Sequence, residues 1–199
     1  MAAFAADALA LGVHWIYDPE KIALHYGRVE TLQAPGPQSF HKGKDKGEFT
    51  HYGDQMLVLL ESLAESGQFD LADFSFRWRD LFADYQGYVD GATRETLANY
   101  DKGTPPEAAG SSSDDLAGAA RIAPLVCLLH DDADTLARDA RTQTAMTHSD
   151  PATVDAAEFF ARVTQAVLHK TTPVQALKTV AEKHFEVSPI SAWLQKGLA

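Results

Sequence analysis

His51 and Asp54 stand three residues apart in Phe49-Thr50-His51-Tyr52-Gly53-Asp54-Gln55-Met56, which runs directly into the apolar stretch Leu57–Leu63. An imidazole and a carboxylate at that spacing share one face of a helix. Helix starts leave backbone N–H groups unpaired and carry partial positive charge, a setting suited to a carboxylate or a ligand phosphate. His51 could exchange protons near neutral pH, and Asp54 could orient a water. As a metal site the cluster is thin, because a hard divalent cation takes several oxygens and only Thr50 and Asp54 offer them. Capping and polar packing at a helix start outweigh metal ligation on these residues alone.

Other residues add to the inventory. Asp7 sits within Ala5-Ala6-Asp7-Ala8-Leu9-Ala10-Leu11-Gly12, where a charge is costly unless paired; it is expected to face a site or to be a buried structural acid. His14-Trp15-Ile16-Tyr17 puts an imidazole beside aromatic rings, a pocket wall or core packing in equal measure. His148, in Met146-Thr147-His148-Ser149-Asp150-Pro151, reads as a polar turn before a helix. Ser111–Asp115 reads as a cap cluster ahead of an apolar segment. Cys127, among Leu125, Val126, Leu128 and Leu129, is expected to be a core thiol rather than a nucleophile. Neither a Gly-rich phosphate loop nor a Gly-x-Ser-x-Gly elbow is present.

The elements that must position these groups are helices. Asp18-Pro19, Asp150-Pro151, Thr172-Pro173 and Ser188-Pro189 each set a capping side chain before a proline at the first helical position. Val154, Ala157, Phe160, Ala161, Val163, Val167 and Leu168 form a helical stripe after the second of these, and Val174, Leu177, Val180, Ala181 and Phe185 another after the third. Asp70–Tyr85 carries Leu71, Phe74, Trp78, Leu81, Phe82 and Tyr85 at the same spacing. Ser113–His130 is nearly apolar all round and predicts a central buried helix, kinked or re-capped at Pro124. Val29–Leu32 is the one strand candidate. Thr31–Gly47, with a basic island at Lys42, Lys44 and Lys46, and Asp101–Ser113 read as long irregular segments, either functional or solvated.

The 199-residue chain suits one all-α domain over residues 1–199. Its net charge of −11 argues against a nucleic-acid backbone or an anionic membrane as partner. The longest apolar run, Ile122–Leu129, is too short to span a bilayer. The single cysteine excludes an internal disulfide, and the N-terminus lacks a basic region before its apolar stretch, so a cytoplasmic location is expected. Composition leaves the oligomeric state open.

Taken together the segments resemble the ADP-ribosylglycohydrolase family, which includes the dinitrogenase-reductase-activating glycohydrolases and the J1 crystallins. Ala6-Asp7-Ala8-Leu9 is similar to the family's opening Gly-Asp-Ala-Leu-Gly helix. His51-Tyr52-Gly53-Asp54-Gln55-Met56 falls where the family has Thr-Asp-Asp-Thr followed by Gln-Met. Gly87-Tyr88-Val89-Asp90-Gly91-Ala92-Thr93 resembles its Gly-Tyr-Gly-x-x-Thr stretch. Gly118-Ala119-Ala120-Arg121-Ile122-Ala123-Pro124-Leu125 resembles its Gly-Ser-x-Met-Arg-Ile-Ala-Pro-Leu, and Thr147-His148 a Thr-His before a long helix.

The resemblance implies a compact all-α orthogonal helical bundle and hydrolysis of the N- or O-glycosidic bond of an ADP-ribosyl group, with ADP-ribose or a related nucleotide-sugar as the small-molecule partner. It places Asp7, His14, His51, Asp54 and His148 along a cleft; of these His14, His51 and Asp54 have side chains suited to catalytic work, and Asp7, Tyr88, Gly91 and His148 are the expected ligand-binding residues. The family expectation is magnesium or manganese. Here Tyr52 and Gly53 replace the paired aspartates and no C-terminal Asp-x-Asp-Thr is found, so the expected metal set is none, the site degenerate and the domain short at its C-terminus. A non-catalytic, J1-crystallin-like structural or ligand-binding protein is the alternative implication.

Overall fold

A computed structural model describes all 199 residues and is all-α, as the capping signals imply. Eleven helices follow one another: α1 Ala2–Ala10, α2 Pro19–His25, α3 His51–Ser66, α4 Leu71–Ala83, α5 Gly91–Asp101, α6 Ala117–Ala120, α7 Ala123–Leu129, α8 Ala133–Ala145, α9 Pro151–Leu168, α10 Pro173–His184 and α11 Pro189–Leu198. A single 3-10 turn, Leu11–Val13, extends α1.

Each Xaa-Pro boundary opens a helix where the sequence places it. Asp18 and Asp150 cap with their side chains, while Thr172 and Ser188 make no side-chain cap bond. In those two helices proline at the first position supplies the start signal by fixing φ. Asp150 accepts from the Thr153 amide at 2.8 Å. Asp150→Ala is therefore expected to cost about 1 kcal/mol, read as a fall of roughly 2–4 °C in melting midpoint.

The main core joins α3, α4, α7, α8 and α9 through Leu59, Leu63, Phe74, Trp78, Leu125, Leu136, Met146, Ala157 and Ala161. A second cluster, Phe159, Val180, Ala181, Phe185 and Ile190, fastens α10 and α11 to α9. Helix α3 thus has its later turns clamped in apolar packing, which holds its polar first turn in a fixed place.

Four expectations need correction. Val29–Leu32 forms no strand; the one pairing of β type is an isolated bridge between Ser111 and His148. Ser113–His130 is two short helices rather than one buried helix, broken at Arg121–Ile122 and, as expected, restarted at Pro124 in the first turn of α7. Its apolar run is not buried all round, since Leu116, Cys127 and Leu128 face solvent, so Cys127 is no core thiol. On α9 the buried ring is Phe159, and Phe160 and Leu168 lie outside. Both long segments, Thr31–Gly47 and Asp101–Ser113, are irregular as expected.

Candidate functional site

Four of the six residues Thr50–Gln55 at the start of α3 hydrogen-bond to side chains from other elements. Thr50, the N-cap, donates its amide at 2.8 Å and its hydroxyl at 2.7 Å to the two oxygens of Asp7 on α1. His51, with no exposed surface, places Nε2 3.0 Å from Asp90 Oδ2, while Asp90 also caps α5 through the Thr93 amide at 2.6 Å. Asp54 accepts from Lys44 Nζ at 2.6 Å and from the Tyr85 hydroxyl. Gln55 accepts from the Trp78 indole at 2.7 Å and from Arg121 at 3.0 Å. Arg121 in turn donates to the Thr147 hydroxyl at 2.6 Å, and His148 contacts that hydroxyl at 2.9 Å and Asp115 at 3.0 Å. A helix start has orphan donors to offer; here the side chains turn those few residues into the hub of a network.

Burial and neighbours set the electrostatics. Burial raises Asp7 above the ordinary carboxylate range, the Thr50 bonds working against it and the Asp54 charge with it. Burial pushes Asp90 up as well, yet its bonds from His51 and Thr93 hold it below the usual value. The His148 bond holds Asp115 well below that value. Tyr52 is raised by burial and then by the Asp115 and Asp90 charges, which ties the His148 end of the network to α3.

In front of this hub lies a set of stacked rings. His14 Nδ1 and His41 Nε2 are 2.7 Å apart, one donating to the other. His41 stacks on His51 with centroids 5.4 Å apart, and Trp15 packs edge-on against Phe40 and Tyr88. Trp15 has φ of +64°, a left-handed conformation that a bulky residue adopts only when its surroundings impose it, at about 1–3 kcal/mol. The Nδ1 atoms of buried His41 and His51 have no hydrogen-bond partner.

These rings back a cleft of about 730 Å³ lined by residues from His14–Asp18, by Lys21, His25 and Tyr26 of the α2 region, and by Gly36–Phe40. Of the residues expected at the site, His14 lines the cleft. Tyr88 touches it through Trp15 and Phe40. His51, Asp54 and Asp7 are not in its lining, and His51 is too buried to touch a ligand. His148 belongs to the far side of the hub and is not a simple polar turn. Gly91 is exposed at the start of α5, where an added Cβ would meet open space, so the structure gives it no part in the cleft.

Sequence reasoning missed His41, Lys44, Asp90 and Arg121 as parts of the site. A motif flagged Asp90 and Arg121, but no local signal marked the other two.

Burial lowers His14 to about 4, helped by His51, and lowers His41 to about 3, helped by His14, His51 and Lys44. Both rings are neutral at pH 7, and the unfolded chain binds the extra protons first as pH falls. Stability is therefore full above the ordinary histidine value of 6.5 and drains away between there and about 4 to 3. The expected slope is up to about 1.4 kcal/mol per pH unit for each ring. Urea unfolding at pH 7, 6 and 5 measures it, and a His14→Leu/His41→Leu variant should flatten the curve.

Both Asp7 oxygens and one Asp54 oxygen are taken by Thr50 and by Lys44 with Tyr85. No group of three or more His, Cys, Asp or Glu side chains is placed to hold a metal. No helix is long and apolar enough to cross a membrane.

Comparison with known proteins adds to this geometry. A family model described as ADP-ribosylglycohydrolase matches residues 1–198. An uncharacterized protein of Archaeoglobus fulgidus is 29% identical over 152 residues, 76% of this chain and 48% of that protein. A solved ADP-ribosylglycohydrolase-related protein complex is similar with a TM-score of 0.67 and 25% identity, over 94% of this chain and 66% of that one. The chain spans about half the length of this curated relative and just under two thirds of the solved one.

Proposed function

Because the chain belongs to the ADP-ribosylglycohydrolase family, a family of glycohydrolases, we propose that it binds an ADP-ribosyl group or a related nucleotide-sugar in the ring-walled cleft and hydrolyses an N- or O-glycosidic bond there. The observation that carries this reading is the cleft itself. Trp15, Tyr17, Tyr26 and Phe40 offer faces for a planar base, and on α2 Lys21, 3.8 Å from Asp18, offers an ammonium and His25, one turn on, a ring N–H for a diphosphate. Such pockets join apolar walls to a few placed polar groups. An overall acidic chain can take an anionic ligand when the cations are local.

His14 is the acid–base group of this proposal. It is the imidazole at the cleft wall and is neutral at pH 7, so it can accept a proton from the attacking water and pass it to the leaving nitrogen or oxygen as the glycosidic bond breaks. His41 orients it, and the buried His51–Asp90 pair supports the stack from behind. Asp54 acts as a positioning residue, since Lys44 and Tyr85 already occupy it. Magnesium or manganese has no step in this scheme.

The test is thermal melting and calorimetry with ADP-ribose in EDTA, followed by hydrolysis of an ADP-ribosylated peptide. Ligand at a hundredfold excess over Kd should add about 2.7 kcal/mol to stability. Trp15→Ala should abolish binding, while His14→Ala should keep binding and lose turnover. A midpoint unmoved by ADP-ribose, together with an intact peptide, refutes the proposal.

A further inference from the structure

Lys44 sits on the long irregular segment, between the exposed Lys42 and Lys46, yet its side chain is only 14% exposed and ends on a carboxylate. Nζ lies 2.6 Å from Asp54 Oδ2 and 5.5 Å from the centre of the Tyr85 ring, whose hydroxyl donates to the same oxygen. The neighbouring carboxylate is Asp7. The Asp54 charge helps to raise Asp7, and both carboxylates act on Tyr85, whose pKa is raised first by burial and then by its bond to Asp54. Nothing but hydrogen separates the backbone of Gly53 from Asp7, because a Cβ there would fall on the Asp7 carboxylate. Asp7 and Asp54 both reach the first turn of α3, the one through Thr50 and the other as its own residue, and a cation on Asp54 offsets the charge it places on Asp7. In a dry setting a monovalent ammonium and a divalent ion would compete for the same oxygens.

We propose that the Lys44 ammonium is the resident cation of the Asp7–Asp54 pair and keeps divalent ions out. The same contact ties down the segment whose Gly36–Phe40 portion walls the cleft, so the cleft is held in shape by an internal ion pair rather than by metal. This inference is independent of which ligand the cleft takes, since its readouts involve no nucleotide-sugar.

The experiment compares the full chain with Lys44→Met and with Lys44→Met/Asp54→Asn, using manganese quenching of the free-ion EPR signal and melting with and without manganese. The wild-type protein should leave the manganese signal unquenched and its midpoint unmoved. Lys44→Met should melt a few degrees lower, quench the signal and regain part of its midpoint with manganese; the double variant should lose that response. Wild-type quenching equal to that of Lys44→Met, or a Lys44→Met that neither loses stability nor gains manganese, overturns the proposal. Should Lys44→Met not fold, amine labelling of the wild-type chain decides. Lys44 should be protected relative to Lys42 and Lys46 with or without manganese, and manganese-dependent exposure of Lys44 overturns the proposal.

Discussion

Arg121→Met is expected to lower the free energy of unfolding by about 3–5 kcal/mol, and the melting midpoint by roughly 6–20 °C. Arg121 is among the largest fully buried side chains, 1% exposed, and meets no carboxylate. Its guanidinium is satisfied by neutral oxygens: Gln143 Oε1 at 2.7 Å, the Gln143 carbonyl at 2.8 Å, Gln55 Oε1 at 3.0 Å and Thr147 Oγ1 at 2.6 Å. Burial lowers its pKa to about 10 without discharging it at pH 7.

Two effects oppose each other on substitution. Methionine removes a buried charge, which by itself favours the variant. It also strands acceptors arranged around a planar fork, and a stranded buried acceptor costs about 1–3 kcal/mol. The second effect wins because the partners stay in place. Arg121→Lys would not avoid the loss, since one ammonium cannot span Gln55, Gln143 and Thr147 together. Urea unfolding followed by circular dichroism measures the loss, and a change under about 1 kcal/mol would contradict it. The damage should also reach the site, because Arg121 holds both Gln55 on α3 and the Thr147–His148 turn.

How much of this was legible depends on distance along the chain. The helix starts at Pro19, Pro151, Pro173 and Pro189 are local signals, and α4 follows its stripe from Leu71 to Trp78 because burial and periodicity agree there. Ser113–His130 misleads because a uniformly apolar run hides which side faces inward. Successive residues turn by about 100°, so Leu125 and Val126 are buried while Cys127 and Leu128 point out.

The site was legible as a place and not as a set of contacts. Thr50–Gln55 announces a polar helix start, but its partners Asp7, Lys44, Asp90 and Arg121 lie 43, 10, 39 and 66 residues from the atoms they meet. Lys44 shows the limit most plainly. Beside Lys42 and Lys46 it reads as one charge of a solvated island, and only the path of the loop sends it inward. His41, flanked by Phe40 and Lys42, carries no local mark of its pairing with His14.

Gly53→Ala is expected to destabilise the wild-type chain by about 2–3 kcal/mol, and to lose most of that cost when Asp7 is also changed to Ala. Glycine inside the first turn of α3 is otherwise a poor choice, since alanine there would gain about 1 kcal/mol of helix propensity. The gain is blocked by contact. A Cβ at Gly53 would overlap Asp7 Oδ2 and stand 2.7 Å from Asp7 Cγ and 2.7 Å from Phe49 Cβ. Asp7 cannot swing aside freely because both its oxygens hold Thr50, the cap of the same helix. The clash with Phe49 is common to both backgrounds, so the difference between them isolates Asp7. Wild type, Gly53→Ala, Asp7→Ala and the double variant, unfolded in urea under one set of conditions, close the cycle. A coupling of about 1.5–3 kcal/mol means the glycine is required by the approach of Asp7. An equal cost of Gly53→Ala in both backgrounds would mean that Phe49 alone sets the constraint and that the Asp7 carboxylate does not rest on the helix start.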